Sequence, residues 1–243
     1  MKKALVIGGS NGIGLGIVRC LQADHHVIII DKNEPDRNFI GSETEYIPFD
    51  LTDDDYSVFD NHLDADVVMV TAGFGKLALF KDIDEGLISQ YFQVNTIAAI
   101  RIVKHFYNRL LGNDDFLMGI IVSIAGFMSS PFFSVYAATK AALKIFIESV
   151  NVEIAKAGSN NRILNVSPGS IQGTRFNGAT DNQINRIEPL AQEIIEHLYA
   201  KDDLFIPKYN EVFRDVLERY QADFRAEGSH SYDYKIESGR IKA

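Results

Sequence analysis

Tyr136 and Lys140 stand four residues apart in Tyr136-Ala137-Ala138-Thr139-Lys140, and Ser123 lies thirteen residues upstream of the tyrosine. On a helix this spacing sets a phenol and an ammonium side by side on one face. A cation there favours phenolate, so the expectation is a tyrosine whose pKa falls below its usual value of about 10. Such a group can trade protons with a bound molecule near neutral pH. The same spacing also arises wherever a half-buried aromatic lies beside a snorkelling lysine. The pair therefore needs company before it implies chemistry.

The elements that must position these residues are legible as short apolar runs alternating with longer segments of helical period, the pattern of repeated βα units. Strands are expected at Ala4–Ile7, Val27–Ile30, Glu45–Phe49, Val67–Val70, Gly119–Val122, Ile163–Val166 and Leu204–Ile206. Helices are expected near Ile13–Ala23, Asp53–Asn61, Asp84–Leu111, Val135–Ala157 and Pro189–Ala200. The apolar set Val212, Phe213, Val216, Leu217 and Tyr220 has helical spacing and predicts one more amphipathic helix. The fold class expected is α/β: a single Rossmann-like doubly wound domain over residues 1–227, with a mainly parallel seven-stranded sheet flanked by helices. Residues 228–243 are polar and read as a C-terminal tail or partner-bound arm.

Composition narrows the function classes. The 243 residues, 46% of them hydrophobic, suffice for one large core. A formal charge of -9 argues against a nucleic-acid or anionic-membrane partner, either of which asks for a basic patch. After Met1-Lys2-Lys3 the apolar run ends at Gly8, short of the roughly 7–15 residues of a signal peptide. No stretch reaches the roughly 18 apolar residues of a membrane span. The single Cys20 forms no internal disulfide, and the six histidines form no ligand cluster with it, so no metal is expected. The protein is expected to be soluble and cytoplasmic.

A cofactor site is suggested directly after the first strand by Gly8-Gly9-Ser10-Asn11-Gly12-Ile13-Gly14. Glycines there let the backbone turn tightly and approach a pyrophosphate, whose charge is met by amides at a helix N-terminus. The spacing of Gly8, Gly12 and Gly14 differs from the G-x-G-x-x-G fingerprint, although the strand, turn and helix context is the same. Asp31 ends the second strand, where a carboxylate accepts the ribose hydroxyls and repels a 2′-phosphate. That favours NAD over NADP, with Lys32 as a feature that allows NADP. Asp50-Leu51 offers a further carboxylate at the same sheet edge, placed for an adenine.

Together these residues resemble the short-chain dehydrogenase/reductase family, in its common subfamily of about 250 residues. Gly8-xxx-Gly12-Ile13-Gly14 resembles the family's cofactor loop, with Ser10 and Asn11 inside it. Ala72-Gly73 resembles the end of its Asn-Asn-Ala-Gly element, and Pro168-Gly169 with Ile171 resembles the segment beside the nicotinamide. The resemblance implies a tetrad: Tyr136 as proton donor or acceptor, Ser123 orienting the substrate oxygen, Lys140 binding the nicotinamide ribose, and Asn95 holding a water that joins the lysine to solvent. It implies hydride transfer between NAD(H), or less favourably NADP(H), and a secondary alcohol or carbonyl, in a homodimer or homotetramer. Alternatives on the same motifs are a non-catalytic dinucleotide sensor and a sugar-nucleotide epimerase or dehydratase, which usually has a longer C-terminal domain. Ile7 replaces a common threonine, Val70-Thr71 replace two asparagines that support the cofactor loop, and the chain beyond residue 207 diverges. On the substrate side Phe127 and Phe133 suggest an apolar wall, and Arg175 a clamp for a phosphate or carboxylate.

Overall fold

The computed structural model describes residues 1–174, 183–239 and 241. Seven strands form one sheet: β1 (Lys2–Ile7), β2 (His25–Asp31), β3 (Glu45–Pro48), β4 (Val67–Val70), β5 (Leu117–Ile121), β6 (Ile163–Val166) and β7 (Leu204–Phe205). The helices are α1 (Gly12–Leu21), α2 (Glu85–Phe92), α3 (Ala98–Leu111), α4 (Ser134–Lys156), α5 (Ile184–Tyr199), α6 (Arg214–Ala222) and α7 (Phe224–Glu237). The sheet order is β3-β2-β1-β4-β5-β6-β7, and every neighbouring pair is parallel. The expected Rossmann-like sheet is present.

Successive side chains of a strand point to opposite faces, so β1 sends Leu5 and Ile7 to one layer and Ala4 and Val6 to the other. The first layer closes against α3 and α4 through Ile102, Phe106, Leu143 and Ile147. The second closes against α1 and α5 through Ile17, Leu21, Ile194 and Leu198. Covering on both faces explains why β2 reads as an unbroken apolar run rather than an alternating one.

Strand order reverses between β1 and β4, which opens a crevice at their carboxyl ends. Register decides what lines it. Ile7 pairs with Ile30 and with Val70. The next residue of each strand, Gly8, Asp31 and Thr71, therefore emerges at one edge.

Four expectations change. The segment expected as a helix over Asp53–Asn61 is a 3-10 turn at Ser57–His62, with Tyr56 and Phe59 buried three residues apart as that tighter winding requires. The single helix expected over Asp84–Leu111 is α2 and α3 joined by a π turn at Gln93–Ile97, where the Ala98 amide donates to Gln93 O five residues back. Helix α5 starts at Ile184 and carries Pro189 inside it, because Ile184 and Ile187 are buried and Ile187 packs closely on Gly16 of α1. The segment from Gly228, expected as a polar tail, runs within α7 as far as Glu237.

Candidate active site

The glycine turn is built by close approach. Gly8 has φ +87, and a Cβ on it would strike the Ala72 backbone. A Cβ on Gly14 would strike Gly8 O and Thr71 Oγ1. Thr71 Oγ1 donates to Ile7 O and Gly8 O, both at 2.9 Å. A threonine thus braces the loop from the position where the resemblance led us to expect an asparagine, and the rigidity that the substitution put in question is supplied. The N-cap residue Asn11 makes no side-chain cap and no acid lies in the first turn of α1, which suits that end of the helix to an anionic group.

Asp31 is tied to this loop. Its Oδ2 accepts from Ser10 N at 3.1 Å and Ser10 Oγ at 2.7 Å, and its Oδ1 accepts from Asn33 N at 3.0 Å. Asp50 accepts from the Thr52 amide and hydroxyl at 2.9 and 2.8 Å. The Thr52 amide does most to hold the Asp50 carboxyl below its ordinary range, against the opposing effect of desolvation. Both aspartates, with Leu51, line a cavity of about 1360 Å³ that also reaches Gly8, Asn11 to Gly14, Ala72, Gly73, Pro168, Gly169 and Ile171.

The same cavity reaches Ser123, Tyr136 and Lys140. Helix α4 presents Tyr136 and Lys140, with Lys140 Nζ 5.8 Å from the centre of the phenol ring. Lys140 is 2% exposed and donates to Ile121 O at 2.9 Å. Ser123, just past β5, accepts from Ala125 N at 3.1 Å and hydrogen-bonds the Tyr136 side chain. Asn95 is buried in the π turn; its Oδ1 accepts from Phe74 N, and its Nδ2 donates to Phe74 O, both at 2.9 Å. Gly73 lies between them: the Cβ it lacks would stand 3.3 Å from both Asn95 Oδ1 and Lys140 Nζ.

The electrostatics differ from the expectation drawn from spacing. Burial pushes the Tyr136 phenol up to about 12, with the Ser123 hydrogen bond pulling the other way. Burial also lowers Lys140 to about 8. Desolvation dominates both shifts, so the phenol holds its proton at neutral pH. A protonated, hydrogen-bonded phenol is a general acid ready to meet charge developing on an oxygen.

A family model described as short chain dehydrogenase matches residues 2–185. The chain belongs to that family. A curated, uncharacterized oxidoreductase of Staphylococcus epidermidis is 25% identical over 206 residues, 80% of this chain and 88% of its own. The 3-oxoacyl-acyl-carrier-protein reductase MabA of Mycobacterium avium is 27% identical over 187 residues, 75% of this chain and 72% of its own. Among solved structures, a short chain dehydrogenase from Burkholderia cenocepacia in complex with NADP superposes with TM-score 0.77 at 17% identity, covering 95% of this chain and 99% of that one. An alcohol dehydrogenase from Thermococcus sibiricus complexed with 5-hydroxy-NADP gives TM-score 0.71 at 19% identity, covering 85% and 95%.

In this short chain dehydrogenase the turn at Gly8 and Gly14 packs directly on Ala72 and Thr71 and lines the cavity at the head of α1, a placement that fits the pyrophosphate of a dinucleotide. The family match ends at residue 185, ahead of the segment that lines the cavity between Val212 and Lys235. Phe133 lines the cavity, its ring 5.3 Å from that of Tyr136. Phe127 does not line it; Lys144 Nζ sits 4.9 Å from its ring instead. Arg175 lies outside the described residues. Sequence reasoning missed the wall supplied by Phe213, Val216, Arg219, Glu227 and His230. Phe213 packs so close to Gly169 that a Cβ there would stand 2.6 Å from its ring. Helical spacing around Val212 signalled the helix, but nothing local signalled the surface it covers.

Proposed function

We propose that this short chain dehydrogenase interconverts a secondary alcohol and a carbonyl on a small molecule, using NAD(H) in preference to NADP(H), with Tyr136, Ser123, Lys140 and Asn95 as its tetrad. The observation that carries this reading is the Tyr136 phenol, hydrogen-bonded to Ser123 beside Lys140, in the same cavity as the glycine turn. A nicotinamide dinucleotide, when bound, supplies the hydride or accepts it.

The chain's own residues do the rest. Tyr136 gives its phenolic proton to the carbonyl oxygen during reduction and takes it back during oxidation. Ser123, held by Ala125 N, shares a hydrogen bond with that oxygen and fixes its distance from Tyr136. Lys140 offers a desolvated ammonium beside Gly73, where a ribose hydroxyl finds a strong donor. Asp31, anchored by Ser10 and Asn33 at the cavity wall, would hold the adenosine ribose hydroxyls, which supports the preference for NAD. Exposed Ile145 and Val152 on α4 support a homodimer formed through that helix.

The deciding experiment is Tyr136→Phe, assayed by nicotinamide absorbance on polyols, sugar phosphates, ketones and acyl thioesters. The ring still packs and only the proton is lost. Turnover of any substrate found should fall by about 10²–10⁴-fold, with dinucleotide affinity unchanged. Full activity in the variant rules the mechanism out.

A further inference from the structure

We infer that Lys235 is a positioning residue for the proton-transfer site: its buried ammonium latches α7 onto the loop that leads into Tyr136. The inference rests on the role proposed for Tyr136. Lys235 is 6% exposed. Its Nζ donates to Ser130 Oγ at 3.1 Å, Pro131 O at 2.8 Å and Ser231 Oγ at 3.1 Å. All three oxygens are acceptors, as an ammonium's donors require.

The rest of α7 meets the same loop along one face. Gly228, Tyr232 and Lys235 are spaced four and three apart, one stripe of a helix. Gly228 faces Ser129, whose Oγ would lie 3.2 Å from a Cβ there. Tyr232 stacks on Phe132 with ring centres 4.5 Å apart. Lys235 takes Ser130 and Pro131. Every position of the stripe thus meets its own part of the loop.

That loop needs holding. Phe132 has φ +66, a left-handed conformation that is strained for a bulky residue and persists only when its surroundings impose it. Its carbonyl accepts from Ala78 N at 2.9 Å. Next in the chain, Phe133 donates its amide to Ser130 O at 2.9 Å, accepts from Ala137 N at 2.7 Å through its carbonyl, and places its ring against Tyr136. The connection therefore runs from Lys235 through Ser130 and Pro131 to the first turn of α4. Helix α7 also lines the cavity with His230, Ser231 and Tyr234, so the element that holds the loop also walls the substrate side.

Lys235→Met keeps the length of the stem and removes the three bonds. We expect kcat to fall by about 10–100-fold, as for a modest misplacement of a reacting group, with dinucleotide affinity unchanged and Lys235→Arg recovering part of the loss. Hydrogen exchange should quicken at the Ala78 and Phe133 amides and stay as it was at Val122, whose amide bonds Val166 O. Unchanged exchange together with unchanged kcat overturns the inference, as does an equal loss of dinucleotide affinity. Should Lys235→Met not fold, Ser130→Ala combined with Ser231→Ala removes two of the three acceptors and should give the same split at smaller amplitude. Tyr136→Phe, run in parallel, separates the two readings: an inactive Tyr136→Phe beside a fully active Lys235→Met overturns the latch alone, whereas an active Tyr136→Phe overturns the role of the tyrosine. The exchange measurement needs no substrate.

Discussion

Lys140 keeps an ammonium where almost no solvent reaches, and that burden is measurable. Its folded value of about 8 lies below its ordinary 10.5. Between those two values the unfolded chain binds a proton that the folded chain lacks, so stability rises with pH across the window. The penalty is fully present below about 8. Native protein should therefore gain about 3 kcal/mol relative to Lys140→Met from about pH 8 to about pH 10.5. Urea unfolding at a series of pH values reads this directly, and a flat difference would mean that the buried ammonium carries no penalty. Tyr136, raised to about 12, acts with the opposite sign from pH 10 upward, but it does so in both proteins and largely cancels. Residue types and spacing revealed this pair from the sequence. The direction of the phenol's shift was not readable, because burial is a property of the assembled layers and not of Tyr136-xxx-Lys140.

Between α2 and α3 the π turn sets Asn95 facing the strand-end loop, with both ends of its amide used by Phe74. Asn95→Ala leaves the Phe74 amide and carbonyl without these partners. We expect a loss of about 1–3 kcal/mol, seen in denaturant midpoints, together with faster exchange at the Phe74 amide. An Asn95→Ala protein with native stability would show that the loop is held by other contacts. The sequence pattern favoured one helix here because apolar spacing is helical on both sides of the break, and one added residue shifts the phase too little to notice. Asn95 itself stood out as a side chain poorly suited to a helix interior. The 3-10 turn at Ser57–His62 escaped notice for a similar reason: over six residues, repeats of three and of 3.6 select nearly the same positions.

For the molecule as a whole, the crevice between β1 and β4 was foreseeable from alternating strands and helices, since parallel order and crossover handedness leave few arrangements. Closure by α6 and α7 was not foreseeable, because it depends on contacts such as Phe213 on Gly169 that have no local signature. A dinucleotide spanning the cavity binds only the native fold, so at about 100 times Kd it should add roughly 2.7 kcal/mol and raise Tm by about 5–10 °C for a chain of this size. NADH should give the larger shift in the native protein, and Asp31→Ala should narrow the gap to NADPH. A larger shift with NADPH in the native protein would overturn the preference assigned to Asp31. Chain order has one more effect, through the bond from Lys235 back to Ser130. The two residues are 105 positions apart. At roughly 5–20 residues per second of synthesis, the ribosome delivers the lysine roughly 5–20 s after the serine. A nascent chain therefore holds its Tyr136 loop for that interval without the brace that α7 supplies.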